Sequence, residues 1–248
     1  MIKKIICVLV ALAVPPIALS ANWNSSDQHA PAGAKRYSDE DWNVTFVRAC
    51  GALKSAPYLQ FIEENGDRFA RFTLNTKDTA GQCKADKKVS RARAEIRTIE
   101  RMTLGKNYRF SANVRFPQGL AGDAIFMQVH AHKPNCKNRP PVKLRLSENM
   151  HTLALEALGK STRGAVQGEF GSQWTRVDIV LNDLGKSGTV DILVNDKTVI
   201  EKVETSITKT CTRPWGKIGL FSLNNKNPLR TNDTVIADYD DVMVEEFP

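Results

Sequence analysis

The sequence contains no Cys-x-x-Cys pair, so a zinc ribbon or a thioredoxin-type redox centre has no motif to rest on. No internal repeat is present, and no segment sustains a 3.6-residue apolar period, which excludes a helical bundle. The one strongly apolar run, Ile5 to Val14, is followed by Pro15 and Pro16. It falls well short of the roughly 20 apolar residues that a membrane span needs. Tyrosine is scarce, with four copies at 37, 58, 108 and 239, so few phenols are available for proton transfer.

What is present begins with a leader pattern. Lys3 and Lys4 precede the apolar run, and Ala18-Leu19-Ser20 supplies a small-residue cleavage site before Ala21. Residues 1–20 are therefore expected to be a signal peptide, placing the mature chain in the periplasm or outside the cell. Residues 21–41 are polar and aperiodic and read as an N-terminal arm. Residues 42–248 are left as one domain, a length common for a single all-β unit. Cys50, Cys83, Cys136 and Cys211 form an even set, which in an exported chain suggests two disulfides with three alternative pairings. The net charge of +8 favours polyanionic partners without choosing among nucleic acid, acidic glycan and anionic lipid.

From Val44 onward the chain is a series of short alternating segments separated by Gly, Pro, Asn, Asp or Lys clusters, such as Pro117-Gln118-Gly119 and Asn195-Asp196. Twelve such segments without intervening helices predict an antiparallel sandwich or jelly roll. Residues two apart in a strand share a face. In Ser90–Glu100, Arg91, Arg93, Glu95 and Arg97 oppose Ala92, Ala94 and Ile96. In Ala124–His132, Phe126, Gln128, His130 and His132 are expected to oppose Ile125, Met127 and Val129. Lys217 and Phe221 share a face, as do Lys143 and Arg145. If these four faces lie on one sheet, they build a basic groove.

Three of the strands carry recognisable segments: Arg93-Ala94-Glu95-Ile96-Arg97, Gln128-Val129-His130, and Trp215-Gly216-Lys217-Ile218-Gly219-Leu220-Phe221-Ser222-Leu223. In type and order they resemble the signatures of the jelly-roll polysaccharide lyases, which include alginate, glucuronan and heparin lyases. The resemblance runs from about Asp67 to the C-terminus. It implies two stacked antiparallel sheets with a concave groove, an acidic polysaccharide as partner rather than nucleic acid or a membrane, a monomer, and no cofactor. It also implies β-elimination. The C5 proton of a uronate is removed and the 4-O-linked sugar is expelled, and cationic and amide groups must stabilise the enolate-like intermediate. By resemblance, Arg93, Gln128 and His130 carry that chemistry. Arg97, Lys217, His132, Lys143 and Arg145 are the expected substrate contacts.

The sequence departs from the family at two points. Where the family's third segment has its catalytic tyrosine stands Phe221, and where it ends in glutamine stands Leu223. A non-catalytic glycan-binding module is therefore the alternative to an active lyase. Several residues also have plain structural readings. Glu95 is expected to hold the guanidiniums of Arg93 and Arg97, and Trp215 at a strand entry is more often core than sugar platform. Lys143 and Arg145 suit a solvated face as well as a subsite. Asp238, Asp240 and Asp241 are candidate calcium ligands or simply a turn before the last strand, and His130 with His132 lacks a third metal ligand.

Overall fold

The structure is a computed structural model that describes residues 42–44, 46–48, 59–75, 93–120, 122–131, 140–185, 188–205, 207, 213–222 and 234–248. Residues 1–41, His132 and the five cysteines lie outside this set, as do Tyr37, Tyr58 and Leu223.

The described residues form an all-β sandwich of two seven-stranded antiparallel sheets. The first sheet runs β1 (Phe46–Arg48), β4 (Arg93–Thr98), β13 (Trp215–Ser222), β6 (Ala124–His130), β7 (Val142–Leu146), β8 (Thr152–Ala157) and β9 (Lys160–Ala165). The second runs β12 (Lys197–Glu204), β11 (Thr189–Val194), β10 (Thr175–Asn182), β5 (Asn107–Arg115), β14 (Thr234–Phe247), β3 (Asp67–Asn75) and β2 (Leu59–Glu64). Strands distant in sequence are thus neighbours, which is how β4, β13 and β6 come to lie side by side.

Apolar residues of both inner faces make one core. Each large side chain buried there contributes about 1.5–3 kcal/mol. Trp42 packs edge-on to Phe46 at 5.2 Å, and Phe116, Phe126 and Phe170 form a second aromatic cluster. Gly216 allows the sheets to approach closely, because a Cβ there would lie 2.8 Å from the ring of Phe110.

Two strands depart from the sequence expectation. β9 and β12 carry few buried residues and sit at sheet edges, so neither has the alternation of a half-buried strand. Their hairpins turn at Leu158-Gly159 and Asn195-Asp196, with positive φ at both residues of each pair. A leucine at φ 49° is an uncommon turn former, so the first hairpin has no sequence signal.

The third departure lies inside β6. Its register slips against β7 between Ile125 and Met127, and β13 slips against it between Ile218 and Phe221. This bulge inverts the alternation. Phe126 points into the core, while Ile125 lies opposite Arg145 and Phe221 on the outer face. Beyond the bulge, Gln128 and His130 keep the expected face.

Candidate active site

Directly paired residues in antiparallel strands put their side chains on the same face. Pairing across the first sheet therefore builds two rows. One reads Arg97, Lys217, Gln128, Lys143, Glu156, Ser161, and the other Arg93, Phe221, Ile125, Arg145, Ala154, Arg163. His130 stands beside the first row, opposite Trp215. Arg93, Gln128, His130 and Lys217 thus come from three separate stretches of chain onto one face.

Glu95 is the hub of this cluster. Its side chain is 2% exposed. One oxygen accepts from Nε2 of Gln128. The other accepts from Nη1 of Arg93 at 3.0 Å and from Nζ of Lys217 at 3.4 Å. A buried carboxylate is tolerable only when paired in this way, and in return it orients all three donors. Arg97 is not one of its partners; Arg97 Nη1 donates to the carbonyl of Thr98.

Burial divides the cluster into two layers. Gln128 and Lys217 are 2% and 5% exposed, whereas Arg93 and His130 remain partly open. His130 stacks on Trp215 with centroids 4.9 Å apart and an interplanar angle of 22°. Its Nδ1 lies 3.0 Å from the Ala131 nitrogen and 3.1 Å from the Ala131 carbonyl oxygen, which fixes the ring. The guanidinium carbon of Arg93 sits 4.3 Å from the centre of the Phe221 ring.

Support comes from below. Tyr239 of β14 crosses the core and donates its hydroxyl to the carbonyls of Phe126 and Gly219, at 2.8 and 3.0 Å. Both carbonyls lie at the bulge. Full burial raises the phenol pKa well above its usual value, and the negative charge of Glu95 adds to the rise. Gly219 adopts φ 122°, and a Cβ there would lie 2.1 Å from the Ala94 carbonyl oxygen. Glycine is the residue that lets β13 lie this close to β4 at the level of Glu95.

With this geometry in place, comparison with known families decides the assignment. The polysaccharide lyase family model matches residues 54–242. The chain belongs to the polysaccharide lyase family. No curated protein matches it in sequence. Among solved structures it is similar to family 7 alginate lyase A1-II′, in a Tyr→Phe variant with product. That match has a TM-score of 0.57 and 16% identity, covering 78% of this chain and 85% of the other. It is also similar to the family 7 alginate lyase AlyA1 from Zobellia galactanivorans, with a TM-score of 0.53, 12% identity and coverage of 79% and 83%. A glycoside hydrolase family 131 catalytic domain from Coprinopsis cinerea matches as well, at a TM-score of 0.54, 15% identity and coverage of 82% and 84%. At such identities these likenesses establish the jelly-roll fold, and a fold shared with a hydrolase does not by itself fix the chemistry.

In this lyase-family chain the same face of the sheet, the expected trough, continues past the motif strands. Lys143 Nζ pairs with Glu156 at 2.7 Å, and Arg145 pairs with Asp123 at 3.3 Å and Glu156 at 3.4 Å. A cavity of about 520 Å³ opens there, lined in part by Asp123, Arg145, Asn149, Thr152 and Arg163. A second, of about 420 Å³, lies beside Lys143, Glu156 and Ser161. Glu156 and Arg163 were not foreseen as site residues. The alternation of β8 could have pointed to Glu156, but Arg163 depends on the unsignalled β9 hairpin.

The aspartates near the C-terminus do not suit calcium. Asp238 is fully buried, held by Arg71 at 2.7 and 2.8 Å and by Arg115 at 2.9 Å. Asp241 accepts from Asn113 at 2.6 Å, and Asp240 accepts from the Asp241 peptide nitrogen at 2.8 Å. Among the described residues no group of three or more His, Cys, Asp or Glu could hold a metal.

Proposed function

We propose that this protein cleaves a uronate-containing polysaccharide by β-elimination, in the periplasm or outside the cell, once residues 1–20 have been removed. The observation that carries this reading is the convergence of Arg93, Gln128 and Lys217 on the buried carboxylate of Glu95, with His130 on the same face of the sheet. Arg93 meets the uronate carboxylate with its planar fork and offsets the charge that builds up on the enolate. Gln128 and Lys217 form the layer beneath, and Glu95 keeps all three donors aimed.

His130 is the proton carrier in this scheme, since imidazole is the side chain suited to exchanging protons near neutral pH. Nδ1 is turned to the Ala131 peptide, and Nε2 is the nitrogen that exchanges the proton in this scheme. The C5–H bond breaks and its proton passes to Nε2. The electron pair forms the C4–C5 double bond, the C4–O4 bond breaks, and the leaving oxygen takes a proton from the imidazolium. One group acting in both directions requires a syn elimination. Among the described residues the tyrosines are Tyr108 and Tyr239. Tyr239 is locked in the core, and the Tyr108 hydroxyl is engaged by Thr103 and Glu246 in the other sheet.

A second reading, glycan binding without cleavage, is favoured by Phe221 alone. The alginate lyase variant named above has phenylalanine in place of a tyrosine and holds product, so such a change on this fold is compatible with holding a glycan. Incubation of the mature protein with alginate, glucuronan and heparin separates the two. Unsaturated products support the lyase, whereas retention without products, lost in Arg93→Ala, supports the binding module.

A further inference from the structure

The central cations of the trough are paired: Lys217 and Arg93 share Glu95, and Lys143 and Arg145 pair with Glu156 and Asp123. At the β4 side the balance changes. Arg101, just past the end of β4, places its guanidinium carbon 4.2 Å from the centre of the Trp215 indole, and Arg97 places its own at 5.8 Å. Strands β4 and β6 flank β13 on opposite sides, so these arginines approach the indole from the side away from His130. The ring is therefore a mount for cations and not an open platform for a sugar.

Arg213, two residues before Trp215, is exposed and held at φ 53°. Arg101 is also exposed, and Arg97 is half-buried. None of the ion pairs among the described residues involves any of the three. The pKa of Arg101 is lowered, first by partial burial and then by the charges of Arg97 and Arg213. Two guanidiniums on one indole and a third close along the chain, in no ion pair among the described residues, suit an external anion. Their planar forks suit oxyanions that accept two parallel hydrogen bonds.

We propose that Arg97 and Arg101, mounted on Trp215, form with Arg213 two residues before the indole an anion subsite at the β4 side of the trough that takes a carboxylate or sulfate group of the bound glycan. The proposal rests on the polysaccharide reading of the trough and adds to it a place where chain charge is read away from the reacting sugar.

The test is a tryptophan-fluorescence titration of the full chain with two probes, an unsulfated oligouronate and dextran sulfate, at several salt concentrations. Arg101→Ala and Arg213→Ala are each expected to weaken binding roughly tenfold, the scale of one lost charge-assisted contact, and to flatten its salt dependence. Arg101→Lys recovers part of the affinity, and Trp215→Phe removes the optical signal. Weakening confined to the oligouronate assigns the subsite to carboxylates, and weakening confined to dextran sulfate assigns it to sulfate esters. If both arginine variants bind like the wild type, the subsite is refuted and the polysaccharide reading stands. If the wild type binds neither probe, both fall.

Discussion

Arg93 lies over the face of Phe221, its guanidinium carbon 4.3 Å from the ring centre. In the segment resembling the lyase signature this ring stands where the family has a phenol, so Arg93 packs against a side chain that cannot exchange a proton. Phe221→Tyr restores a phenol beside Arg93. Because a well-placed general acid contributes about 10²–10⁴-fold, the variant should raise kcat on a uronate polymer by about 10² or more. Initial rates of unsaturated-product formation check this, and an unchanged rate would place the reacting sugar away from residue 221.

Glu95 is the buried counter-charge for Lys217 and Arg93. Removing one partner of such a cluster costs about 3–5 kcal/mol, because the other charges stay buried without it. Glu95→Ala should therefore lower the unfolding free energy by that amount, seen as a lower urea midpoint at constant m-value, while Glu95→Gln, which keeps an acceptor, loses less. Equal stability of Glu95→Ala and the wild type would mean that Lys217 finds another partner or water.

Gly219 combines φ 122° with a forbidden Cβ position, 2.1 Å from the Ala94 carbonyl oxygen. Gly219→Ala must push β13 away from β4, and a loss above about 4 kcal/mol is expected, in the exceptional range for one substitution. Thermal melts of the purified variant give the answer, and a near-native Tm would contradict the close strand contact at the site.

The phenol of Tyr239 has a folded-state pKa well above its ordinary value, chiefly through burial. In the folded state it holds its proton at pH values where the unfolded chain has released it. The unfolded chain then binds fewer protons, and stability falls as pH rises. This contribution is fully present below about pH 10, the ordinary tyrosine value, and is lost progressively above it. Urea midpoints of the wild type should drop from about pH 10 upward, and Tyr239→Phe should show a smaller drop. Parallel curves would remove Tyr239 as the source.

Much of this site was legible before the structure, because its information is local. Arg93-Ala94-Glu95-Ile96-Arg97 and Gln128-Val129-His130 alternate cleanly, and a period of two assigns faces whatever the neighbours are. What was not legible depended on pairing. Ile125 and Phe126 exchange faces because of a register slip that only the flanking strands define. Glu95 pairs with Lys217, 122 residues away, where sequence proximity had suggested Arg97. Strands β9 and β12 escaped notice because edge strands bury too little to impose alternation, and Arg163 was hidden with them.

The account stands on His130 moving a proton within a trough organised by Glu95. The most direct measurement is the absorbance of the C4–C5 double bond conjugated to the uronate carboxylate, followed with wild-type protein and His130→Ala on a panel of polyuronates. The expected result is a steady rise with the wild type on at least one polymer and no rise above background with a folded His130→Ala variant. A flat trace from folded wild type on every polyuronate, or an undiminished rise without the imidazole, would contradict it.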